Sequence, residues 1–366
     1  MEIDGLIEAL IRPEIRALSA YHVPDSAGLI KLDAMENPYV WPDALRKDWL
    51  AALRDAALNR YPDPQGMELQ QALREAMGVP ADMALLLGNG SDELIQMLAL
   101  AVAAPGPNGP RKVLSLDPGF VMYRMIALFA GLDYVGVPLN ARDFSLDLDT
   151  TLAAIARERP ALVYIAYPNN PTGNLFDPAA VERIIEASPG LVIVDEAYAP
   201  FTDHSFLPRL GDWTNLLVMR TVSKMGLAGL RLGYLAGPPA WLRQIDKLRL
   251  PYNINVLTQA SATFALRHRA TLDAQTDRIR TDRALLFDAL QGIDGVMPYP
   301  SDANFILVRT ESGRARDIFT GLRQRGVLIK NLDGAHRLLV DCLRITVGTP
   351  DENSALIDAL RATLVA

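Results

Sequence analysis

The stretch LVYIAYPNNPTGNLFDPAAVERIIEASPGLVIVDEAY, residues 162–198, contains the pattern that decides the fold. Two short apolar runs, 162–166 and 191–194, enclose a segment that has the length and apolar spacing of a helix. Continuous apolar runs are typical of strands that are buried on both faces, as in a parallel sheet covered by helices. The stretch therefore predicts two strands of a parallel sheet, joined by a helix.

The same alternation extends in both directions, from about residue 85 to residue 240. Further short apolar runs, each followed by turn residues or a helical pattern, lie at 84–87, 112–116, 134–137, 216–219 and 233–236. Helical patterns fall at 92–104, 118–130 and 178–187. The sequence thus predicts an α/β fold with a mainly parallel central sheet between helices.

The pattern changes near residue 251. A long helical stretch, 258–289, comes before short strand-like runs at 296–300, 304–308, 327–330 and 343–347. Two further helical patterns accompany these runs, which together indicate a smaller α+β lobe. We expect an N-terminal arm and small-domain segment at 1–40, a large domain at 41–255 and a small C-terminal domain at 256–366.

Composition limits the possible functions. The chain has 366 residues, with 43 acidic against 36 basic side chains and a net charge of −7, which disfavours nucleic acid and anionic membranes as partners. A single cysteine, Cys342, excludes an intramolecular disulfide, and the four histidines have no metal-ligand spacing, so no metal site is expected. The N-terminus is acidic, and the longest apolar stretch, 94–104, is too short to cross a bilayer, so a soluble cytoplasmic protein is expected.

Ligands of open parallel sheets bind beyond the carboxyl ends of the strands, so the residues that follow each run are candidates for a site. The run at 84–87 leads into GNGSDE, residues 88–93, and then into a helix. Glycines allow a tight turn, and the N–H groups of the helix N-terminus would hold an anion such as phosphate. The alternative is an ordinary strand–helix turn, with Ser91 or Asp92 as the helix N-cap.

Two more strand ends carry polar side chains. Asn170 follows the run at 162–166 and lies between two prolines, which would hold its amide rigidly at the sheet edge. Asp195 ends the run at 191–194, where burial of a carboxylate is costly without a cationic partner. Tyr198, three residues later, could reach the same place from a helical turn. A turn at Asn170 and a helix N-cap at Asp195 are the simpler alternatives.

The sequence RTVSKMGLAGLRLGY, residues 220–234, places Lys224 just past another buried strand in a loop of small residues. Its amine can act as a nucleophile or base only if its surroundings lower its pKa. Arg231 could supply a bidentate contact to phosphate. The alternative is a surface lysine beside a structural arginine. Taken with Asp195, these groups suit pyridoxal phosphate, because lysine forms its Schiff base and a carboxylate keeps its ring nitrogen protonated.

The order of these motifs resembles the fold-type I pyridoxal-phosphate aminotransferases, and most closely their histidinol-phosphate branch. The resemblance rests on the NNPTG, DEAY and SK…GLRLGY blocks and extends from Asn37 to Thr349. The motif RYPDP, residues 60–64, is typical of that branch. The spacing from Lys224 to Arg231 is seven residues, one fewer than is common in the family, which predicts a tighter lysine loop.

The resemblance implies roles for the cofactor site. Lys224 would form the Schiff base and later move the proton between Cα and C4′, while Asp195 would pair with the pyridine nitrogen. Tyr198 and Asn170 would hydrogen-bond the ring hydroxyl oxygen, and Phe120 would stack on the ring. The phosphate-holding positions match Gly90, Ser91, Asp92, Ser223 and Arg231.

The resemblance also implies residues that bind substrate or lie across a subunit boundary. Tyr61 would reach the cofactor phosphate of the neighbouring subunit, which implies a homodimer with shared active sites. Arg344 would bind the anionic group of the substrate, and Lys330 stands where relatives often have an arginine that contacts substrate phosphate. Tyr21 and Asn37 match residues that close over the substrate, with an arm tyrosine and a turn asparagine as the alternatives.

By this resemblance the partners are a small amine and a keto acid. The expected reaction is transamination of L-histidinol phosphate with 2-oxoglutarate, which yields imidazole-acetol phosphate and glutamate. An aromatic or broad-specificity aminotransferase and a threonine-phosphate-type pyridoxal-phosphate decarboxylase are alternatives with the same cofactor residues. A nicotinamide-dependent dehydrogenase is disfavoured, because no strand leads into GxGxxG. A catalytically silent interaction protein would not need the lysine, carboxylate and tyrosine together.

Overall fold

The computed structural model describes residues 3–20, 24–106 and 109–365. Its strands run from β1 to β14 in chain order, and their bounds are Ile30–Leu32, Ala84–Gly88, Pro105–Gly106, Gly109–Pro110, Lys112–Asp117, Asp133–Pro138, Leu162–Ala166, Leu191–Asp195, Leu216–Thr221, Gly233–Gly237, Val296–Pro298, Phe305–Thr310, Val327–Asn331 and Cys342–Thr346. The α-helices run from α1 to α13, and their bounds are Ile3–Leu10, Pro13–Arg16, Asp43–Leu53, Met67–Met77, Ser91–Val102, Val121–Phe129, Leu148–Glu158, Pro178–Ala187, Pro239–Ile245, Val256–Arg267, Arg269–Gln291, Ala315–Gln324 and Pro350–Leu364.

A seven-stranded sheet forms the centre of the molecule, in the order β2-β10-β9-β8-β7-β5-β6. The pairs β5·β6, β5·β7, β7·β8 and β8·β9 are parallel, whereas β10 runs antiparallel to both β2 and β9. The α/β fold with a mainly parallel central sheet is therefore confirmed. The reversed direction of β10 brings the chain back from the lysine loop to the strand that precedes the glycine turn.

Both faces of this sheet are buried, which explains its continuous apolar runs. In β7, Val163 and Ile165 pack on one side, in a core with Leu73 of α4 and Ile184 of α8. The neighbouring Leu162 and Tyr164 face the other side, in a core that includes Leu94 of α5 and Ile126 of α6. Successive residues of a strand point to opposite faces, so helices on both sides require apolar residues at every position.

A second, five-stranded sheet has the order β1-β13-β14-β12-β11. Its pairs are antiparallel except for β1·β13, which joins the N-terminal segment to this sheet. A separate core forms between it and α11, α12 and α13, with Ile279, Ile318 and Leu356 among its buried residues. The division into a large and a small domain stays a prediction.

The single long helix expected at 258–289 is wrong: the chain forms α10 and α11, separated at His268. His268 adopts φ −108° and ψ 30°, outside the helical range. Its ring stacks on Phe264 at 4.3 Å, and its Nδ1 lies 2.9 Å from the carbonyl oxygen of that residue. The helical conformation is thus interrupted at His268, and apolar spacing alone does not indicate this break. Across the ranges that the structure describes, no helix is both long and apolar enough to cross a membrane.

Candidate active site

A cavity of about 390 Å³ opens at the carboxyl ends of β7, β8 and β9. It brings together most of the residues that the sequence analysis singled out, although they come from five separate segments of the chain. The site residues that line it are Ser91, Asp92, Phe120, Asn170, Asp195, Tyr198, Ser223, Lys224 and Arg231. Residues 34–36 of the N-terminal segment form part of the same wall.

Asp195 is the last residue of β8 and is only 4% exposed. The hydroxyl of Tyr123 donates to its Oδ2 at 2.6 Å, and the backbone N–H of Ala197 donates to its Oδ1 at 3.1 Å. Burial raises the pKa of Asp195 to about 6, and the two hydrogen bonds oppose that rise. A protonated ring nitrogen in the cavity would favour the ionised carboxylate.

Tyr198 and Asn170 meet at one end of the cavity. The Nδ2 of Asn170 donates to the hydroxyl oxygen of Tyr198 at 3.1 Å. Tyr198 lies just before a 3-10 turn, Ala199–Phe201, so the expected turn carries its ring back toward Asp195. Burial raises the pKa of Tyr198, which keeps the phenol protonated and able to donate a hydrogen bond.

Lys224 lies in the 3-10 turn Ser223–Met225, and its Nζ is 5.9 Å from the ring centre of Tyr198. Burial, and then the positive charge of Arg344, lower the pKa of Lys224 to about 8, while Glu36 opposes them. At pH 7 about one such amine in ten is neutral, against about one in 2,500 for an ordinary lysine. The surroundings of Lys224 therefore favour the neutral amine, which is the form that can act as a nucleophile or base.

The seven-residue lysine loop still brings Arg231 into the cavity. A second 3-10 turn, Ala228–Leu230, shortens the path, and Arg231 itself adopts a left-handed φ of 47°. Its NH2 lies 3.2 Å from Oδ2 of Asp92. A non-glycine residue in this conformation is strained, so the surrounding loop must hold it there.

The expected anion cradle lies where α5 begins. Gly90 is the N-cap, with φ 81° and no side-chain cap, and Ser91 is the first helical residue. The alternative of Ser91 or Asp92 as N-cap is therefore wrong. The φ of 81° favours glycine at this position, and a Cβ there would lie 2.6 Å from NH2 of Arg231, so a larger residue would also displace the guanidinium. Helix N–H groups and a guanidinium facing one space fit a phosphate.

Arg344 lies on β14, 7% exposed, beside rather than in the wall of the cavity. Its NH1 donates to Oδ1 of Asn170 at 2.7 Å, and its NH2 donates to the carbonyl oxygen of Asp33 at 3.0 Å. Lys330 on β13 is paired directly with Arg344 in the sheet register. Opposed residues of an antiparallel pair share a face, so both cations are on the same side of the small sheet.

Three other expected residues occupy different surroundings. The Nδ2 of Asn37 donates to the carbonyl oxygen of Met225 at 3.3 Å, so its amide supports the lysine loop rather than facing the cavity. Tyr61 is 80% exposed and stacks on Tyr252 at 4.4 Å. Tyr21 lies outside the described residues.

Sequence reasoning missed Tyr123 as the partner of Asp195. Tyr123 is in the first turn of α6, three positions after Phe120, and their rings pack edge to face at 5.4 Å. The available signal was the position of Tyr123 in the first helical turn directly after Phe120, the N-cap residue of α6. The ring contact between the two residues places Tyr123 behind Phe120, against Asp195.

Comparison with known proteins identifies the family. Residues 27–360 match the family model of aminotransferase class I and II. The chain is 59% identical to histidinol-phosphate aminotransferase 2 of Nitrosococcus oceani, with 96% of each chain covered. It is 56% identical to histidinol-phosphate aminotransferase 2 of Cupriavidus pinatubonensis, with 98% of each covered.

A solved structure has the same fold. Histidinol-phosphate aminotransferase of Sinorhizobium meliloti, in complex with pyridoxal 5′-phosphate, superimposes with a TM-score of 0.84. It is 28% identical to this chain, with 98% of each chain covered. The chain therefore belongs to the class I and II aminotransferases and, within them, to the histidinol-phosphate aminotransferase family.

Proposed function

We propose that this chain is a pyridoxal-phosphate-dependent enzyme that transfers the amino group of L-histidinol phosphate to 2-oxoglutarate. The products are imidazole-acetol phosphate and glutamate, in a step of histidine biosynthesis. One observation carries the chemistry: Lys224, with its pKa lowered to about 8, shares a cavity with buried Asp195 and with Arg231 at the helix N-terminus. The proposed substrate is supported by relatives that are more than half identical over nearly the whole chain and are named histidinol-phosphate aminotransferases.

The residues fit the cofactor at both of its ends. Asp195 would hold the proton on the ring nitrogen, and Tyr198 and Asn170 would bind the ring hydroxyl oxygen. Phe120 lines the cavity with them and would face the ring. At the other end, Ser91 and Arg231 belong to the anion cradle and would bind phosphate. Gly90, Asp92 and Ser223 complete the set that we assign to the phosphate.

When bound, pyridoxal phosphate supplies an electron-withdrawing ring that stabilises the negative charge left when Cα of the amine loses its proton. Lys224 would be the base for that proton, because its lowered pKa keeps an accessible neutral fraction. Its Nζ would also donate the proton to C4′. Asp195, held by Tyr123 and Ala197, would stabilise positive charge at the ring nitrogen.

Arg344 and Lys330 would bind the anionic end of the substrate. Transamination requires one pocket to accept a phosphorylated amine and a dicarboxylate in turn, so a cation serves both. The guanidinium of Arg344 offers a fork that suits either group, whereas the ammonium of Lys330 offers a point charge. By the family resemblance, Tyr21 and Asn37 would help to close over the substrate. Because Asn37 contacts the lysine loop, its effect would be indirect.

We also propose that the enzyme is a homodimer in which Tyr61 contacts the cofactor phosphate of the other subunit. Tyr61 is 80% exposed within its own chain, and Leu58, Met67 and Leu250 nearby are also exposed apolar residues. Arg231, at the phosphate end of the cavity, has about half of its side chain exposed. A second copy that covers this end would exclude water from the phosphate site. The cytoplasmic location stays a prediction of the sequence.

Product analysis tests the proposed reaction. The purified enzyme, supplied with pyridoxal phosphate, L-histidinol phosphate and 2-oxoglutarate, should release glutamate and imidazole-acetol phosphate in equal amounts. Lys224→Ala should abolish release while it still binds the cofactor, and Lys247→Ala, on an exposed turn, should leave the rate unchanged. Release of carbon dioxide from O-phospho-L-threonine, or transamination of aromatic amino acids in preference to L-histidinol phosphate, would contradict the proposal.

A further inference from the structure

Tyr123 is a buried residue whose ring contacts two other aromatic rings and whose hydroxyl contacts Asp195. Its side chain is 1% exposed. The ring of Tyr164 stacks on it at 4.5 Å with an interplanar angle of 10°, and Phe120 packs against it edge to face. Its hydroxyl donates to Oδ2 of Asp195 at 2.6 Å. Burial, the two ring contacts and this hydrogen bond together hold the donor against Asp195 in the cofactor-free protein.

The hydrogen bond from Tyr123 acts on the carboxylate of Asp195, whose ionised form is disfavoured by burial. Asp195 accepts hydrogen bonds from Tyr123 and from the backbone of Ala197, one on each oxygen, which together fix the plane of its carboxyl group. Each donor favours the charged form and opposes the effect of burial. A carboxylate oxygen accepts more than one hydrogen bond, so both oxygens retain capacity for a ligand in the cavity.

We infer that Tyr123 is a positioning residue: its hydroxyl keeps the carboxylate of Asp195 ionised and oriented for the pyridine nitrogen of the cofactor. The inference rests on the proposed role of Asp195. Tyr123 lines no part of the cavity and touches no reacting atom; it acts through Asp195 alone. Loss of its hydroxyl removes one of the two donors and leaves the carboxyl group free to rotate and to hold its proton to higher pH.

Tyr164 provides a matched control. Its ring is 1% exposed and parallel to that of Tyr123, but in the structure its hydroxyl has no hydrogen-bond partner among the described residues. Tyr164→Phe therefore removes an equivalent buried phenol oxygen from the same pair of stacked rings, but it does not remove a hydrogen-bond donor from Asp195. Any effect of lost volume or polarity in the core should appear equally in both variants.

The test measures dissociation constants for pyridoxal phosphate in the parent, Tyr123→Phe and Tyr164→Phe, between about pH 6 and pH 8. Tyr123→Phe should weaken binding by about tenfold to a hundredfold, as expected for loss of a hydrogen bond to a charged group. The loss should be larger at the lower pH, where the carboxyl group is protonated. Tyr164→Phe should bind within about threefold of the parent, because its hydroxyl makes no hydrogen bond.

A double-mutant cycle distinguishes a positioning role of Tyr123, which acts through Asp195, from a general structural effect of the substitution. In an Asp195→Asn background, Tyr123→Phe should cost no further affinity, since the carboxylate through which it acts is absent. An equal loss in both backgrounds, or a Tyr123→Phe protein that binds like Tyr164→Phe, would overturn the inference. A parent protein that binds no pyridoxal phosphate, or an Asp195→Asn protein that binds as well as the parent, would instead overturn the proposed function.

Thermal melting by circular dichroism shows whether Tyr123→Phe is folded at the assay temperature. If it is not, Tyr123→His enters the same cycle, because an imidazole N–H is a donor of similar reach. It should bind pyridoxal phosphate more tightly than Asp195→Asn and lose that advantage in the Asp195→Asn background. A Tyr123→His protein that is folded and binds as weakly as Asp195→Asn would contradict the inference.

Discussion

The guanidinium of Arg344 donates a hydrogen bond of 2.7 Å to the side-chain oxygen of Asn170. The other end of the same amide donates to Tyr198 at 3.1 Å. A single asparagine thus joins a strand of the five-stranded sheet to the wall of the cavity in the seven-stranded sheet. The residue that we assign to the substrate anion is therefore in contact with a residue that we assign to the cofactor ring.

This contact gives Arg344 an effect on both substrates. Arg344→Ala should raise KM for L-histidinol phosphate and for 2-oxoglutarate, with kcat/KM reduced about a hundredfold, because hydrogen bonds from a charged donor are lost. Arg344→Lys keeps the charge but not the fork, and should recover part of the loss. Steady-state kinetics with each substrate varied in turn measures the effect. A KM that stays at the parental value for either substrate would place Arg344 outside the shared pocket.

Lys330 is expected to discriminate between the two anions. Lys330→Ala should raise KM for L-histidinol phosphate about tenfold and for 2-oxoglutarate much less, because a phosphate carries more negative charge than a carboxylate. Lys247→Ala, at an exposed position, serves as the control for the loss of one positive charge. Equal increases for the two substrates would rule out a phosphate-specific role for Lys330.

Asp195 is predicted to lower the free energy of unfolding of the cofactor-free protein at neutral and higher pH. Burial raises its pKa from 3.8 to about 6, so its favourable contribution to folding is present below about pH 4 and lost as pH rises through 6. Asp195→Asn avoids this loss and should raise the free energy of unfolding at pH 8 by about 3 kcal/mol, with a smaller gain at pH 5. Urea unfolding at both pH values is the measurement. A variant less stable than the parent at pH 8 would refute the prediction.

The shared active site predicts complementation between two inactive variants. Tyr61→Ala and Lys224→Ala damage the same site from different subunits if Tyr61 reaches across the two-fold axis. In a mixed dimer one site then carries both changes and the other neither, so random re-pairing should restore about a quarter of the sites. Tyr61→Ala must first be shown to be defective alone. If verified subunit exchange restores no activity, Tyr61 does not act across the interface.

Much of the fold follows from local sequence pattern, because a strand buried on both faces leaves an unbroken apolar run. The run at 162–166 coincides with β7, and the helical pattern at 178–187 coincides with α8. Other strands continue one or two residues past their apolar run, as β8 does to include Asp195. Backbone pairing in a sheet tolerates a polar residue at the strand end, so hydrophobicity alone places that boundary too early.

The remaining features depend on contacts that are distant in sequence. The pairing of β1 with β13 joins Ile30 to Val327, and no local pattern indicates such a partner. In the same way, the link from Arg344 to Asn170 and the link from Tyr123 to Asp195 join residues that are 174 and 72 positions apart. Sequence motifs identify the polar residues of the site, whereas the tertiary structure decides which of them meet.

The amine half-reaction tests the central claim most directly. Enzyme loaded with pyridoxal phosphate is mixed, without keto acid, with L-histidinol phosphate, L-phenylalanine or O-phospho-L-threonine in turn, and the visible absorption band of the bound cofactor is followed. L-histidinol phosphate should bleach the band at the lowest concentration, and 2-oxoglutarate should then restore it. A band that persists in L-histidinol phosphate but is bleached by L-phenylalanine would contradict the account.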